Sequence, residues 1–199
     1  MTSPTPTKIH LIVGHPRAGS FCHALADAYA RGAEAQGAEI RRQDISDMEF
    51  DPDLTHGYEK RKMLEPDLFD LRENIIWADH LAWIHPLWWG GMPAKMQGAI
   101  DRAFLPGWAF KYHDNDPWWD RLLAGKTADV IVTADTPGFF IKWVYGNPHK
   151  KRITKQILGF TGVKVTSYSH FATVKTADDK KRADWLKRAH FYGAEAGRR

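Results

Sequence analysis

Five strand-length runs, at residues 9–13, 39–43, 80–85, 128–133 and 164–171, alternate with stretches whose apolar residues recur at helical spacing. The helical stretches cover residues 20–36, 65–77, 93–104, 147–160 and 177–194. Such an alternation leaves little choice of fold. Parallel strands joined by right-handed crossovers put helices on both faces of one sheet, the α/β arrangement. The 199 residues suit a single ordinary domain, 1–199, with a full core. Two connections, residues 46–64 and 106–125, are too long for plain loops and read as walls of a site or arms of an interface.

Ligands of open parallel sheets sit beyond the carboxyl ends of the strands, so the strand-to-helix turns carry the functional information. The first turn is Gly14-His15-Pro16-Arg17-Ala18-Gly19-Ser20-Phe21. Ser20 is a candidate N-cap, and the amides of Gly19, Ser20 and Phe21 are expected to point outward as free donors, which suits a phosphate. Neither nucleotide fingerprint is complete: Ser20 directly follows Gly19 where a triphosphate loop needs Lys, and Gly-x-Gly-x-x-Gly is absent. An ordinary capped turn is the plain alternative. The second turn, His85 through Lys95, holds Pro86, Leu87, Trp88, Trp89, Gly90 and Gly91 before Pro93 opens a helix. Two tryptophans on such a turn need cover, either from a flat ring docked there or from a loop or subunit contact. A third turn, Thr133-Ala134-Asp135-Thr136-Pro137-Gly138, follows the fourth strand.

Lys and Arg total 28 against 24 Asp and Glu, a formal charge of +4. That excess is too small, and no recognisable module accompanies it, for a nucleic-acid binder. Basic residues gather at Lys142, Lys150, Lys151, Arg152 and Lys155. They read either as a solvated helix face or as attraction for a phosphorylated partner. Cys22 is the single cysteine, so no internal disulfide or thiolate metal site forms. At a helix start its thiol is either activated or simply a small buried group. No apolar run reaches the ~20 residues of a membrane span, and Met-Thr-Ser-Pro-Thr-Pro-Thr lacks a signal peptide's apolar core, so a soluble cytoplasmic protein is expected.

These residues resemble the flavodoxin-like NAD(P)H:quinone oxidoreductases, a group that includes the flavin-binding ancillary proteins of potassium efflux systems. The resemblance spans nearly the whole chain. It rests on His15 with Ser20-Phe21, on Asp44 with Met48, Phe50 and Pro52, and on Pro86-Leu87-Trp88-Trp89 through Pro93-Ala94, Lys95, Asp101-Arg102, Phe104 and Gly107-Trp108-Ala109-Phe110. It implies a five-stranded parallel sheet in the order 2-1-3-4-5 and a homodimer with active sites at the subunit boundary. It also implies a flavin, FMN or alternatively FAD, held by three loops. Carried over by position, His15, Gly19, Ser20 and Phe21 would meet the phosphate and ribityl chain. Pro86, Leu87, Trp88, Trp89 and Gly90, with Thr133, Ala134, Asp135 and Thr136, would line the ring system. The chain departs from the family at Trp88, where Gln is usual, and at Thr133-Ala134-Asp135-Thr136, where Thr-Thr-Gly-Gly is usual. An acid at Asp135 would oppose extra negative charge on a reduced flavin.

The resemblance implies two-electron transfer from NAD(P)H through flavin to a quinone or similar acceptor, in ping-pong order. Such chemistry asks the protein for orientation, donors and exclusion of water rather than for a nucleophile. Tyr145 and His149 are candidates to stabilise charge or pass a proton, with satisfied loop residues as the alternative. Two other functions compete: a flavodoxin-type electron carrier, and a flavin-binding regulatory subunit of a membrane transport protein docked through residues 150–155.

Overall fold

The structure, a computed structural model, describes residues 5–199. β1 (Lys8–Val13), β2 (Glu39–Asp44), β3 (His80–Pro86), β6 (Thr127–Ala134) and β7 (Lys164–Ala172) form one sheet in the order β2-β1-β3-β6-β7, every neighbouring pair parallel. Counting only these strands, that is the expected 2-1-3-4-5. β3 lies at the centre and is buried at every position, as a strand covered on both faces must be. β2 lies at an edge and carries Glu39, Arg41 and Arg42 outward.

The two faces are covered differently. α1 (Phe21–Glu34) and α6 (Asp179–Gly197) pack on one, around Leu11, Val13, Leu25, Tyr29, Phe171 and Trp185. The other takes α2 (Pro66–Trp77), α3 (Ala94–Ala103) and the segment before β7, around Trp83, Met96, Phe104, Val130 and Leu158. Pro66 and Pro148 each open a helix at the first turn, where the missing N–H costs nothing. α6 is capped by Asp178, whose carboxylate accepts from Lys181 N at 2.7 Å.

The helix expected over 147–160 is instead broken in three. α4 (Pro148–Lys151) passes into a π-helical stretch (Arg152–Ile157) and then α5 (Leu158–Thr161). Asn147 enters in the left-handed region at φ 54°, and the Thr154 hydroxyl donates to the Lys150 carbonyl at 2.6 Å, competing with the backbone ladder. A second π-helical stretch, Phe140–Val144, follows β6. Of the long connections, residues 106–125 fold into a hairpin of β4 (Phe110–Tyr112) and β5 (Trp119–Arg121). Residues 46–64 hold no helix or strand. They are tied down by the buried Arg102, which donates to the Asp51 and Met63 carbonyls and pairs with Glu65 at 2.8 Å.

Candidate functional site

The carboxyl ends of β1, β3, β6 and β7 converge on a cavity of about 440 Å³. All three turns contribute. His15, Gly19, Ser20 and Phe21 come from the first, Pro86, Leu87 and Trp88 from the second, Thr133, Ala134 and Asp135 from the third. Trp89, Gly90 and Thr136 are not in its wall. Trp89 stands fully exposed at the tip of its turn.

One end of the cavity is built by the start of α1. Phe21 and Cys22 N–H, in the first helical turn, find no acceptor among the described residues. Ser20 differs from expectation: its amide donates to His23 Nδ1 at 3.2 Å, and its hydroxyl lies 2.8 Å from the same atom. An Nδ1 that accepts leaves the His23 proton on Nε2, which faces the Asp44 carboxylate at 3.5 Å. Thus the amide of Ser20 is occupied within the fold, and the donors left to a ligand are its neighbours. Cys22 lies behind them, its thiol 3.4 Å from the Thr133 hydroxyl, and burial pushes that thiol up to about 11. It is a small buried group, not an activated one.

Charge at this end is positive. Arg17, Lys175 and Arg182 line it against the single acid Asp135. Asp135 braces the wall: its carboxylate accepts from Lys175 N at 2.7 Å. Arg182 donates to the Val174 and Ala177 carbonyls and lies 5.4 Å over the Phe21 ring. The loop after β7, which supplies Val174 and Lys175, and Arg182 in α6 were not found by sequence reasoning. Their only signal is that β7 is the next strand whose end must reach the cavity.

The other end is aromatic. His15 meets Trp88 edge-on at 5.4 Å and accepts from Arg17 N through Nδ1 at 3.1 Å, which leaves Nε2–H as a donor at the wall. Partial burial and then Arg17 lower its pKa, so the ring is neutral. Trp88 and Gly91 exchange two 2.9 Å hydrogen bonds around a two-residue loop. Its central residues, Trp89 (φ 50°) and Gly90 (φ 77°), both have positive φ, the mirror-image turn that normally selects Asn-Gly. A bulky side chain there costs roughly 1–3 kcal/mol. Among the described residues, Asn147 (54°) and Thr173 (64°) are the other non-glycine residues in this region, Asn147 after the π-helical stretch Phe140–Val144 and Thr173 directly after β7. Backbone strain collects where a site is shaped.

Tyr145 and His149 are not brought together at the cavity. Tyr145 is exposed at the end of the π-helical stretch. His149 is buried below, with Nδ1 2.9 Å from the Tyr168 hydroxyl and its ring centre 4.9 Å from that of His85. Burial, then the neighbouring His85, takes His149 down to about 3, and burial takes His85 to about 4. His85 and His170 both lie in register with Val132 and so share one face of the sheet. That pairing was invisible without the register. At the amino ends of the strands, Tyr29, His80 and Asp129 form a second buried polar group, Tyr29 Oη lying 3.0 Å from both partners. It braces α1 against the sheet.

Residues 7–190 match the Flavodoxin_2 family model, described as a flavodoxin-like fold, and the chain belongs to that family. It is 24% identical over 186 residues to an uncharacterized NAD(P)H oxidoreductase of Haemophilus influenzae, covering 90% of this chain and 91% of that one. It is 27% identical to the NAD(P)H dehydrogenase [quinone] 1 of Cavia porcellus, over 69% of this chain and 57% of that one. Among solved structures, the NAD(P)H:quinone oxidoreductase from Methanothermobacter marburgensis superposes with a TM-score of 0.81 at 25% identity, covering 96% and 98% of the two chains. An FMN-dependent NADH-azoreductase from Bacillus anthracis, in complex with FMN, shares the fold at a TM-score of 0.73 and 14% identity, over 96% and 99%. Among the described residues no helix is long and apolar enough to cross a membrane.

Proposed function

We propose that this chain is an NAD(P)H-dependent oxidoreductase that uses a bound flavin, with FMN the first to test and FAD the alternative, to reduce a quinone or similar two-electron acceptor. One observation carries the reading. A single cavity joins free helix N-terminal donors and three cations at one end to a neutral His15–Trp88 wall at the other. A flavin has that polarity, an anion joined by a chain to a flat ring. Relatives and structural neighbours named as NAD(P)H quinone oxidoreductases support the activity.

The chemistry a flavin supplies is two-electron transfer from a reduced nicotinamide to an acceptor in two half-reactions. The protein's part is placement. Phe21 and Cys22 amides with Arg17 hold the phosphate, the Thr133–Asp135 segment borders the ring, and Trp88 shields one edge from water. Of the pair proposed for proton delivery, Tyr145 is exposed but does not line the cavity. His149, neutral and bonded to Tyr168, acts as a positioning residue for the segment around it. We further propose a homodimer whose contact includes residues 106–119, where Tyr112 and Trp118 are exposed. Light scattering checks this: a monomer that retains flavin and activity would end it.

Ser20→Asp tests the site itself. An acid beside the phosphate is expected to weaken flavin binding at least about tenfold, roughly 1.4 kcal/mol. Flavin-free stability should hold, because Asp also caps helices. Unchanged affinity, measured by fluorescence titration, would move the phosphate elsewhere.

A further inference from the structure

A second cavity, of about 450 Å³, lies beside α2 and α3, shares no lining residue with the first, and takes Pro106, Gly107 and Trp108 from the margin of the segment proposed above as the dimer contact. Arg61, Lys62 and Arg72 line it. Arg72 Nε donates to the Ala103 carbonyl at 2.8 Å, and Arg61 Nη2 to the Pro106 carbonyl at 3.3 Å. Each guanidinium has five N–H donors and so keeps most of them unspent. Of the neighbouring carboxylates, Asp51 pairs with Lys62 and Glu65 with Arg102. Burial, then the charge of Arg61, weakens Arg72's hold on its proton.

The end of α3 explains why cations gather here, but not why they stay unpaired. A helix C-terminus supplies about half a negative charge, against two full positive ones. The rest of the wall is apolar and ring-bearing. Trp108 lies 4.8 Å under the Arg72 guanidinium and meets Phe104 edge-on at 5.6 Å. Met63, Leu64, Leu105 and Pro106 add to it, and the charge of Lys62, also in the lining, is paired with Asp51. Gly107 presents no side chain, and a Cβ there would come within 3.2 Å of Arg61 Nη2.

We propose that this cavity is a second binding site, for an organic anion whose carboxylate or phosphate is gripped by Arg61 and Arg72 while its aromatic body lies against the apolar wall. The head group meets two forks, the geometry that guanidinium groups offer to planar or tetrahedral oxyanions. The ring displaces water from a surface that would otherwise stay half-wet.

Calorimetric titration of the flavin-loaded protein tests this with naphthoate, naphthyl phosphate, inorganic phosphate and naphthalenemethanol. Naphthoate or naphthyl phosphate should bind saturably, and whichever binds tighter identifies the head group. The bare anion and the neutral ring should each bind at least about tenfold more weakly. Arg61→Gln with Arg72→Gln should abolish the preference for anions while flavin content and melting temperature stay put. Should that pair fail to fold, Arg61→Gln alone, on an exposed segment, should still weaken naphthoate about threefold or more. Equal binding of naphthoate by parent and variant would overturn the proposal. So would a parent dimer that becomes monomeric on loss of the two arginines with no naphthoate bound to either, because the cavity would then be a subunit contact.

Discussion

The two faces of the sheet are packed by opposite means. On the α1–α6 side the helices touch backbone to backbone: a Cβ at Gly32 would sit 2.0 Å from the His190 carbonyl oxygen, and one at Gly193 would sit 1.9 Å from that of Tyr29. On the α2–α3 side, large rings meet edge-on, Trp83 on Phe104 at 6.0 Å and Phe110 on Phe160 at 4.9 Å. That layer leaves cavities of about 270 and 450 Å³ around the long connections. Small residues close every gap, whereas wide rings at steep angles cannot tile a surface. The rigid face holds the helix whose first turn offers donors to the main cavity. The looser face is where recognition can vary.

Breaking the tight face should cost most. Gly193→Leu forces a side chain into the Tyr29 backbone and is expected to destabilise by about 3 kcal/mol or more. An equally bulky change at the exposed Met63, on the other face, should cost little. Denaturant melts of the two variants compare the faces directly, and equal losses would refute the contrast.

Acid should act next, and it acts through histidines buried in both the sheet and the aromatic layer. His10, His85 and His149 are neutral in the fold down to about 4, 4 and 3, chiefly because burial penalises the charge. The unfolded chain protonates them below about 6.5. Unfolding therefore takes up protons below pH 6.5, and stability falls from there towards pH 4, by up to about 1.4 kcal/mol per pH unit for each group. His149→Gln should remove one share of that slope in melts run at several pH values, and an unchanged slope would show that His149 is protonated in the fold.

Relieving strain should give a smaller effect of opposite sign. Trp89→Asn installs the residue pair that the turn prefers and should raise stability by about 1 kcal/mol. Acceptor turnover should drop if the exposed indole covers the bound ring. A stabilised variant with full activity would assign Trp89 to a contact other than the cavity.

The smallest effect is expected at Lys150 and Lys151. Reversing both charges should raise the apparent KM for NAD(P)H several-fold, about 1 kcal/mol, with kcat and flavin content nearly unchanged. The effect should fade in high salt. Lys150 already lies 5.7 Å over the Tyr168 ring, so parity with the parent at every salt concentration would leave it a packing residue of the aromatic face.

The regular elements were legible because their patterns are local. β1, β3 and β6 are apolar runs of strand length, α3 opens at a proline, and strands and helices alternate as a doubly wound sheet requires. The break in the 147–160 helix was not legible, since a side chain's choice between its own turn and solvent depends on what packs over it. The hairpin within 106–125 was missed for a related reason. Its strands are three residues each, and Trp119 is held by stacking on Phe160 at 4.4 Å, a residue far along the chain.

The sequence by itself determined that the turns lie at the carboxyl ends of parallel strands, because the alternation of elements sets a doubly wound sheet and its crossover hand, while the strand order came with the family resemblance. The family resemblance grouped His15, Phe21, Trp88 and Thr133 around one ligand before any distance was known. Tertiary structure alone decided how their polar atoms are spent. The Ser20 amide goes to His23, the Asp135 carboxylate to Lys175, and His149 to Tyr168 rather than to the cavity. The physical reason is that burial and hydrogen-bond direction belong to pairs of residues, and the members of a pair such as His149 and Tyr168 meet only once the chain has closed around them.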